Sequence, residues 1–272
     1  MRRFVAEGKI FDRISKSVCE GPIPEDWVQP FFFKASSNLL YQNRSGPCGL
    51  FAAVQSYIHI YTKNRTDIEN SVLLLNAILE IMDNIRHAYV ICTNVDHANH
   101  RVEWYATNDR SMAAEYINTN KWLSESNATI LFIYSIAILV GPVWLNHFSM
   151  GEPFITNDGN TNLTFVLLLI SGEILDSYND GFETDSGMVI KGATKPQRVG
   201  FVSNNQEMQA VGNFFKNPTE GIWIAFNGVH FTTIVKMSSG VFLQVDSLSH
   251  YSYFNPVVST NVYYSQLVHG RP

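Results

Sequence analysis

A chain of 272 residues with 46% hydrophobic and 16% charged side chains, among them 18 Phe, 12 Tyr and 5 Trp, has ample apolar surface for a core, which excludes an intrinsically disordered protein. The formal net charge is −5, both signs are dispersed, and Arg2-Arg3 is the longest basic run, so the electrostatic footprint of a nucleic-acid binder is missing. Three cysteines, Cys19, Cys48 and Cys92, with no CxxC pair, argue against a disulfide-stapled secreted domain and for a reducing compartment, with the cytoplasm first and the nucleus second.

The opening MRRFVAEGKIFDRISKS lacks the run of about seven apolar residues that a signal peptide carries, so residues 1–24 read as a lead-in segment. Gly21-Pro22, Pro24 and Pro30 interrupt any long element there, and Phe31-Phe32-Phe33 predicts a short buried strand. From Cys48 onward Leu50, Phe51, Val54, Tyr57 and Ile58 recur at three- and four-residue spacing, which predicts a helix beginning at Cys48 with one buried face. The same period predicts a second helix over residues 67–85, followed by a short strand at Tyr89-Val90-Ile91-Cys92. Residues 112–124 and 129–146 read as helical. The apolar run 130–145 is shorter than about 18 residues and broken by Gly-Pro, so it predicts a buried core helix and no membrane span.

Residues 165–170 fit either a strand or a helix. Beyond residue 180, Gly, Asn and Ser punctuate alternating apolar positions, which predicts an antiparallel meander, so helices come first and strands last. No repeat, linker or composition shift marks a boundary, and the expectation is one α+β catalytic domain over residues 1–272.

The chemistry concentrates where Gly46-Pro47-Cys48-Gly49 feeds the first core helix. A thiol at a helix N-terminus faces unpaired N–H groups and the positive end of the dipole, which stabilise its thiolate. The flanking glycines leave room for an extended substrate backbone. Gln42, six residues earlier, is far enough back to cross the turn and offer an amide N–H to an oxyanion beside the sulfur, a spacing also found in papain-like enzymes.

Of the eight histidines, His230 stands out because it follows the Asn227-Gly228 turn signal between two apolar strands. If Ser238-Ser239-Gly240 forms a three-residue hairpin loop, Met237 faces Val241, His230 falls opposite Leu248, and Asp246 comes within diagonal reach of the imidazole as its orienting carboxylate. The plainer role for Asp246 is to cap a turn at a strand end. Asp96-His97-x-x-His100 lacks a cysteine partner or an HExxH frame and reads as a solvated loop, so neither a metal nor a cofactor is expected. The carboxylates Asp176, Asp180, Glu183 and Asp185 need no role beyond solvation.

Gln42-x5-Cys48 within Gly-Pro-Cys-Gly-x-x-Ala-Ala-Val-Gln resembles the nucleophile segment of the MINDY deubiquitinases, in particular their Gly-Pro-Cys-Gly branch. The lead-in Glu25-Asp26-Trp27-x-Gln29-x-Phe31-x-Phe33 is similar as well. So is the ordered set Asp185-Ser186-Gly187, Val199-Gly200-Phe201, Val211-Gly212-x-Phe214-x-Lys216-Asn217-Pro218 and Ile222-Trp223-Ile224 before His230-Phe231. The resemblance implies a papain-like cysteine peptidase variant, in which a helical part carrying the nucleophile packs on an antiparallel sheet carrying the histidine. It implies Cys48 as nucleophile, His230 as general base and Gln42 as oxyanion donor, with Asp246 matching less closely. The implied substrate is ubiquitin in polyubiquitin chains linked through its lysine forty-eight, cleaved by a monomer with no membrane or nucleic-acid partner. Val229, before the histidine, departs from the small polar residue usual in the family. A papain-like peptidase of another substrate and a non-catalytic ubiquitin-binding module are the rival readings.

Overall fold

The computed structural model describes residues 1–63, 65, 67–141, 152–203 and 211–248, with the backbone of Tyr251–Phe254. Strand β1 (Arg2–Glu7) opens the chain and pairs antiparallel with β5 (Arg101–Thr107), which forms a hairpin with β4 (Tyr89–Asp96), giving the order β1-β5-β4. Short antiparallel hairpins, β2 (Phe32–Phe33) with β3 (Leu40–Tyr41) and β6 (Phe182–Glu183) with β7 (Val189–Ile190), stand apart from this sheet, so strands do not wait until the end of the chain. The segment Arg2–Glu7 shows no buried alternation, since Ala6 is its one buried residue, and its partner lies far along the sequence. What pairs them is cross-strand chemistry, an Arg3–Glu103 ion pair and Phe4 stacked on Trp104 at 5.6 Å.

The β4–β5 turn carries the Asp96-His97-x-x-His100 motif, which the structure ties to neighbouring residues. Asp96 accepts hydrogen bonds from the Asn99 N–H and side-chain amide, His100 Nδ1 lies 2.7 Å from Asp12 Oδ1, and His97 Nε2 lies 3.2 Å from the Tyr134 hydroxyl. Among the described residues no cluster of His, Cys, Asp and Glu could hold a metal ion.

Among the described residues six α-helices precede the second sheet: α1 (Lys9–Val18), α2 (Cys48–Thr62), α3 (Asn70–Arg86), α4 (Arg110–Thr119), α5 (Ala128–Val140) and α6 (Leu163–Ser171). The helix expected over 112–124 stops at Thr119, because Lys121 turns left-handed (φ 52°) and a 3-10 turn, Trp122–Ser124, follows. The 13 residues of α5 span only about 20 Å. Its buried Ser135 hydroxyl is satisfied by the Leu131 carbonyl and the Cys92 N–H. Among the described residues no helix is long and apolar enough to cross a membrane; the end of the segment predicted over 129–146 lies outside them. Residues 165–170 are helical, since Asn162 caps α6 by accepting the Thr164 N–H at 2.9 Å and Gly172 closes it at φ 73°.

The second sheet runs in the order β12-β11-β10-β9-β8, from β8 (Gly200–Ser203), β9 (Ile222–Phe226), β10 (Phe231–Lys236), β11 (Phe242–Val245) and β12 (Tyr251–Phe254). Four strands form the expected antiparallel meander, but β8 pairs parallel to β9, so the sheet is mixed. A parallel pair needs a crossover, and the short helix α7 (Asn213–Lys216) lies on that path, tied to β9 by the Trp223 indole N–H on the Lys216 carbonyl at 2.9 Å. Asp180 holds the start of α7 through the Asn213 and Phe214 N–H groups, and Asp176 accepts the Lys191 N–H. Two of the four clustered carboxylates thus have local structural partners. The whole is a mixture of helix and sheet compatible with the α+β class.

Helix α2 runs through the middle of this arrangement, packed on α3, α6, β9 and β10. Every residue from Cys48 to His59 is buried, where the sequence period predicts one buried face. The other side consists of Gly49, Ala52, Ala53 and Ser56, which are small enough for neighbours to close over them. At its far end His59 Nε2 lies 3.2 Å from the Gln55 amide nitrogen, and burial lowers its pKa to about 4, so it stays neutral. A Cβ at Gly49 would sit 2.6 Å from Val166 Cγ2 and 2.8 Å from Thr161 Cγ2. Gly49→Ala is therefore expected to cost about 1–3 kcal/mol of stability. Urea unfolding checks this, the expected result being a lower midpoint with an unchanged slope.

Candidate active site

The nucleophile candidate is fixed from two directions. Cys48 is the first residue of α2, with 3% of its surface exposed, and Pro47 before it offers no side-chain cap. Capping falls to Thr161, which comes from the segment leading into α6. Its hydroxyl accepts the Gly49 N–H at 3.2 Å and donates to the Gly46 carbonyl at 2.9 Å, while its own N–H reaches that carbonyl at 3.0 Å. Trp27, fully buried, donates its indole N–H to the Gly159 carbonyl at 2.7 Å beneath the same turn.

This packing corrects the role expected of the glycines. Gly46 has φ 104°, and a Cβ on it would lie 2.9 Å from the Gly159 carbonyl oxygen and 3.1 Å from Trp27 Nε1; one on Gly49 meets Val166 and Thr161. Both glycines face the protein's own loop and helix, so their small size serves close packing of the nucleophile turn and does not open a path for substrate.

The imidazole candidate sits one residue before β10, at the end of a four-residue turn. Asn227 Oδ1 accepts the Val229 and His230 N–H groups at 3.1 and 2.8 Å, Gly228 takes φ 101°, and Phe226 stacks on Phe231 at 4.3 Å where the strands begin. The hairpin register is the predicted one. Met237 donates to the Val241 carbonyl at 2.8 Å, Lys236 pairs with Phe242 and Thr233 with Val245. His230 Nε2 accordingly lies 2.9 Å from Asp246 Oδ1. Asp246 also fills the plainer role, since the same oxygen accepts the Leu248 N–H at 2.9 Å, and this second bond fixes the direction of the carboxylate.

The Cys48 thiol is also close enough to the His230 side chain to act on its pKa. With Nε2 turned to Asp246, Nδ1 is the nitrogen left for the thiol. The hydrogen bond to Asp246, then the interaction with Cys48, raise the pKa of His230 from 6.5 to about 10 against the opposing effect of partial burial. The ring is thus held as an imidazolium through neutral pH, between a sulfur and a carboxylate.

Gln42 is fully buried at the edge of the same site. Its amide nitrogen donates to the Arg44 carbonyl, its amide oxygen accepts the Ser247 hydroxyl at 3.0 Å, and its backbone N–H donates to the Ser247 carbonyl at 2.8 Å. The structure thus hydrogen-bonds His230 to Asp246, brings Cys48 within range of the same imidazole, and joins Gln42 to the residue that follows Asp246. Sequence reasoning found Asn227 only as the start of an Asn-Gly turn and missed Thr161 and Ser247, which act on segments remote in the chain.

A folded-state pKa of about 10 means that the folded chain holds the His230 proton where an unperturbed imidazole, at 6.5, has lost it. Stability from this site is full below pH 6.5 and is lost as pH rises through about 10. Asp246→Asn removes the largest cause of the shift, so the His230 titration should move down by about 1–3 pH units. Titration of the ring C–H resonances by NMR measures this, and an unmoved midpoint would refute the assignment of cause.

No family model and no solved structure matches the chain. Three curated relatives are similar to it. Ubiquitin carboxyl-terminal hydrolase MINDY-3 of Xenopus tropicalis is 24% identical over 258 residues, covering 76% of this chain and 58% of the relative. The MINDY-3 protein of Danio rerio is 22% identical over 266 residues, covering 75% and 58%. The MINDY-3 homolog of Drosophila melanogaster is 25% identical over 132 residues, covering 47% and 24%. The chain spans little more than half the length of the vertebrate relatives it matches. At 22–25% identity the likeness supports kinship with the MINDY family of deubiquitinases, without singling out a branch of it.

Proposed function

We propose that this chain is a cysteine deubiquitinase that hydrolyses isopeptide bonds in polyubiquitin, built as a papain-like variant and acting as one catalytic unit over residues 1–272. The observation that carries the reading is the imidazole of His230, hydrogen-bonded to Asp246 at 2.9 Å and close enough to Cys48, at the head of a buried helix, for the thiol to raise its pKa. Names of the MINDY-3 relatives supply the substrate class.

In this mechanism the Cys48 sulfur attacks the carbonyl carbon of ubiquitin's C-terminal glycine, and the negative charge moves to the carbonyl oxygen. Gln42 and a backbone N–H at the start of α2 hold that oxyanion. His230 gives its proton to the departing lysine amine as the C–N bond breaks, leaving a thioester on Cys48. The neutral imidazole then takes a proton from water, whose oxygen attacks the thioester, and ubiquitin leaves with a free carboxylate while the sulfur recovers its starting state. Asp246 keeps the ring in one tautomer and orientation throughout. Chains linked through ubiquitin's lysine forty-eight are the expected substrate, and the chain is expected to work as a monomer in the cytoplasm or nucleus.

A panel of diubiquitins, with Cys48→Ala and His230→Ala as controls, tests the proposal. Cleavage by the unaltered chain should fall by at least about a thousandfold in either variant, and an electrophile carried on the ubiquitin tail should label Cys48. Hydrolysis that survives Cys48→Ala would overturn the mechanism. Failure of the tail electrophile to label Cys48, with a small electrophile still reacting, would point to a peptidase of another substrate.

A further inference from the structure

Asp246 and Ser247 are consecutive, yet their side chains serve different halves of the site. Asp246 reaches the imidazole of His230, and Ser247, only 8% exposed, reaches the amide of Gln42. A side-chain amide has two orientations that exchange oxygen for nitrogen, and an oxyanion donor works in one of them alone. The Ser247 hydroxyl donates to Gln42 Oε1 at 3.0 Å, so the oxygen occupies that side and the NH2 group takes the other. There one of its hydrogens goes to the Arg44 carbonyl. The backbone of Ser247 adds a third tie by accepting the Gln42 N–H at 2.8 Å. With both ends engaged in a site closed to water, the amide plane has no freedom left, and its second N–H is held in a single direction.

We infer that Ser247 is a positioning residue that locks the amide of Gln42 in the orientation needed for oxyanion donation, making the Asp246-Ser247 dipeptide a shared clamp on the proton-transfer and charge-stabilising parts of the site. This rests on the proposed deubiquitinase reading, in which Gln42 meets the oxyanion. The clamp works through position alone. Ser247 touches Gln42, and the reacting atoms feel it only through the amide it aligns.

The chemistry supplies a readout that a purely structural role would not move. Acyl transfer builds an oxyanion, whereas alkylation of Cys48 by iodoacetamide needs the sulfur and its imidazole but no oxyanion. With a fluorogenic ubiquitin C-terminal amide as substrate, Ser247→Ala should lower kcat about tenfold to a hundredfold, leaving KM and the pH dependence of Cys48 alkylation within about twofold of the unaltered chain. In a Gln42→Ala background the same change should cost nothing further. The near-isosteric pair Ser247→Thr and Ser247→Val repeats the comparison at nearly constant volume, so a folding defect in the Ala variant does not decide the matter. The Thr variant should stay within about threefold of the unaltered chain and the Val variant should show the loss. Equal kcat for Thr and Val, or alkylation falling in step with kcat, would overturn the clamp. An unaltered chain inactive on the ubiquitin amide would remove the functional reading and the clamp together, whereas an active chain with an unimpaired Val variant would remove the clamp alone.

Discussion

The hydrogen bond from the Thr233 hydroxyl to the Ala52 carbonyl, 3.0 Å long and buried, pins helix α2 to strand β10. Ala52 lies about one helical turn beyond Cys48, and Thr233 lies about 10 Å along the strand from His230. Sliding the helix along the strand would break this bond, so the pin helps set the distance between sulfur and imidazole. A thiol and a base brought from opposite halves of a chain need such a fixed reference, because nothing local holds them together.

Around the pin, the helix is held by small residues on one side and large ones on the other. Leu50, Phe51, Val54, Tyr57 and Ile58 fill the volume that the sequence period assigns to a core face, while Gly49, Ala52 and Ala53 let α6 and the sheet approach closely. A helix enclosed on every side has little room to tilt. Thr161 then fixes its first turn from outside, doing for the backbone what Pro47, without a donor or acceptor on its side chain, cannot do.

The sequence made legible those parts of the site that depend on local chemistry. Ser238-Ser239-Gly240 dictates a hairpin loop, the loop dictates the pairing of Lys236 with Phe242, and the pairing brings Asp246 to His230. Cys48 at the start of a helix is local in the same sense. The residues that escaped are those whose partners are far away. The Ser247 bond to Gln42 joins the final described strands to the first third of the chain across 205 positions, and Thr161 meets Gly46 across 115. The β1–β5 pair and the parallel β8–β9 pair were hidden for the same reason, since a strand's partner is not written in its own residues. Helix α6 is a different case, because Asn162 and Gly172 bracket it with ordinary cap chemistry that settles helix over strand once both are read together.

The inward-facing glycines beside Cys48 carry a consequence for how such motifs are interpreted. Gly46 and Gly49 are required by a backbone angle and by Val166, Thr161 and Trp27, none of which cares whether the neighbouring sulfur reacts. A descendant that exchanged the thiol for a methyl group would remain under the same steric pressure to keep both. Under the proposed mechanism the frame around Cys48 can therefore outlive its chemistry, and in a related chain the side chains at positions 48 and 230 would say more about turnover than the glycines that surround the first of them.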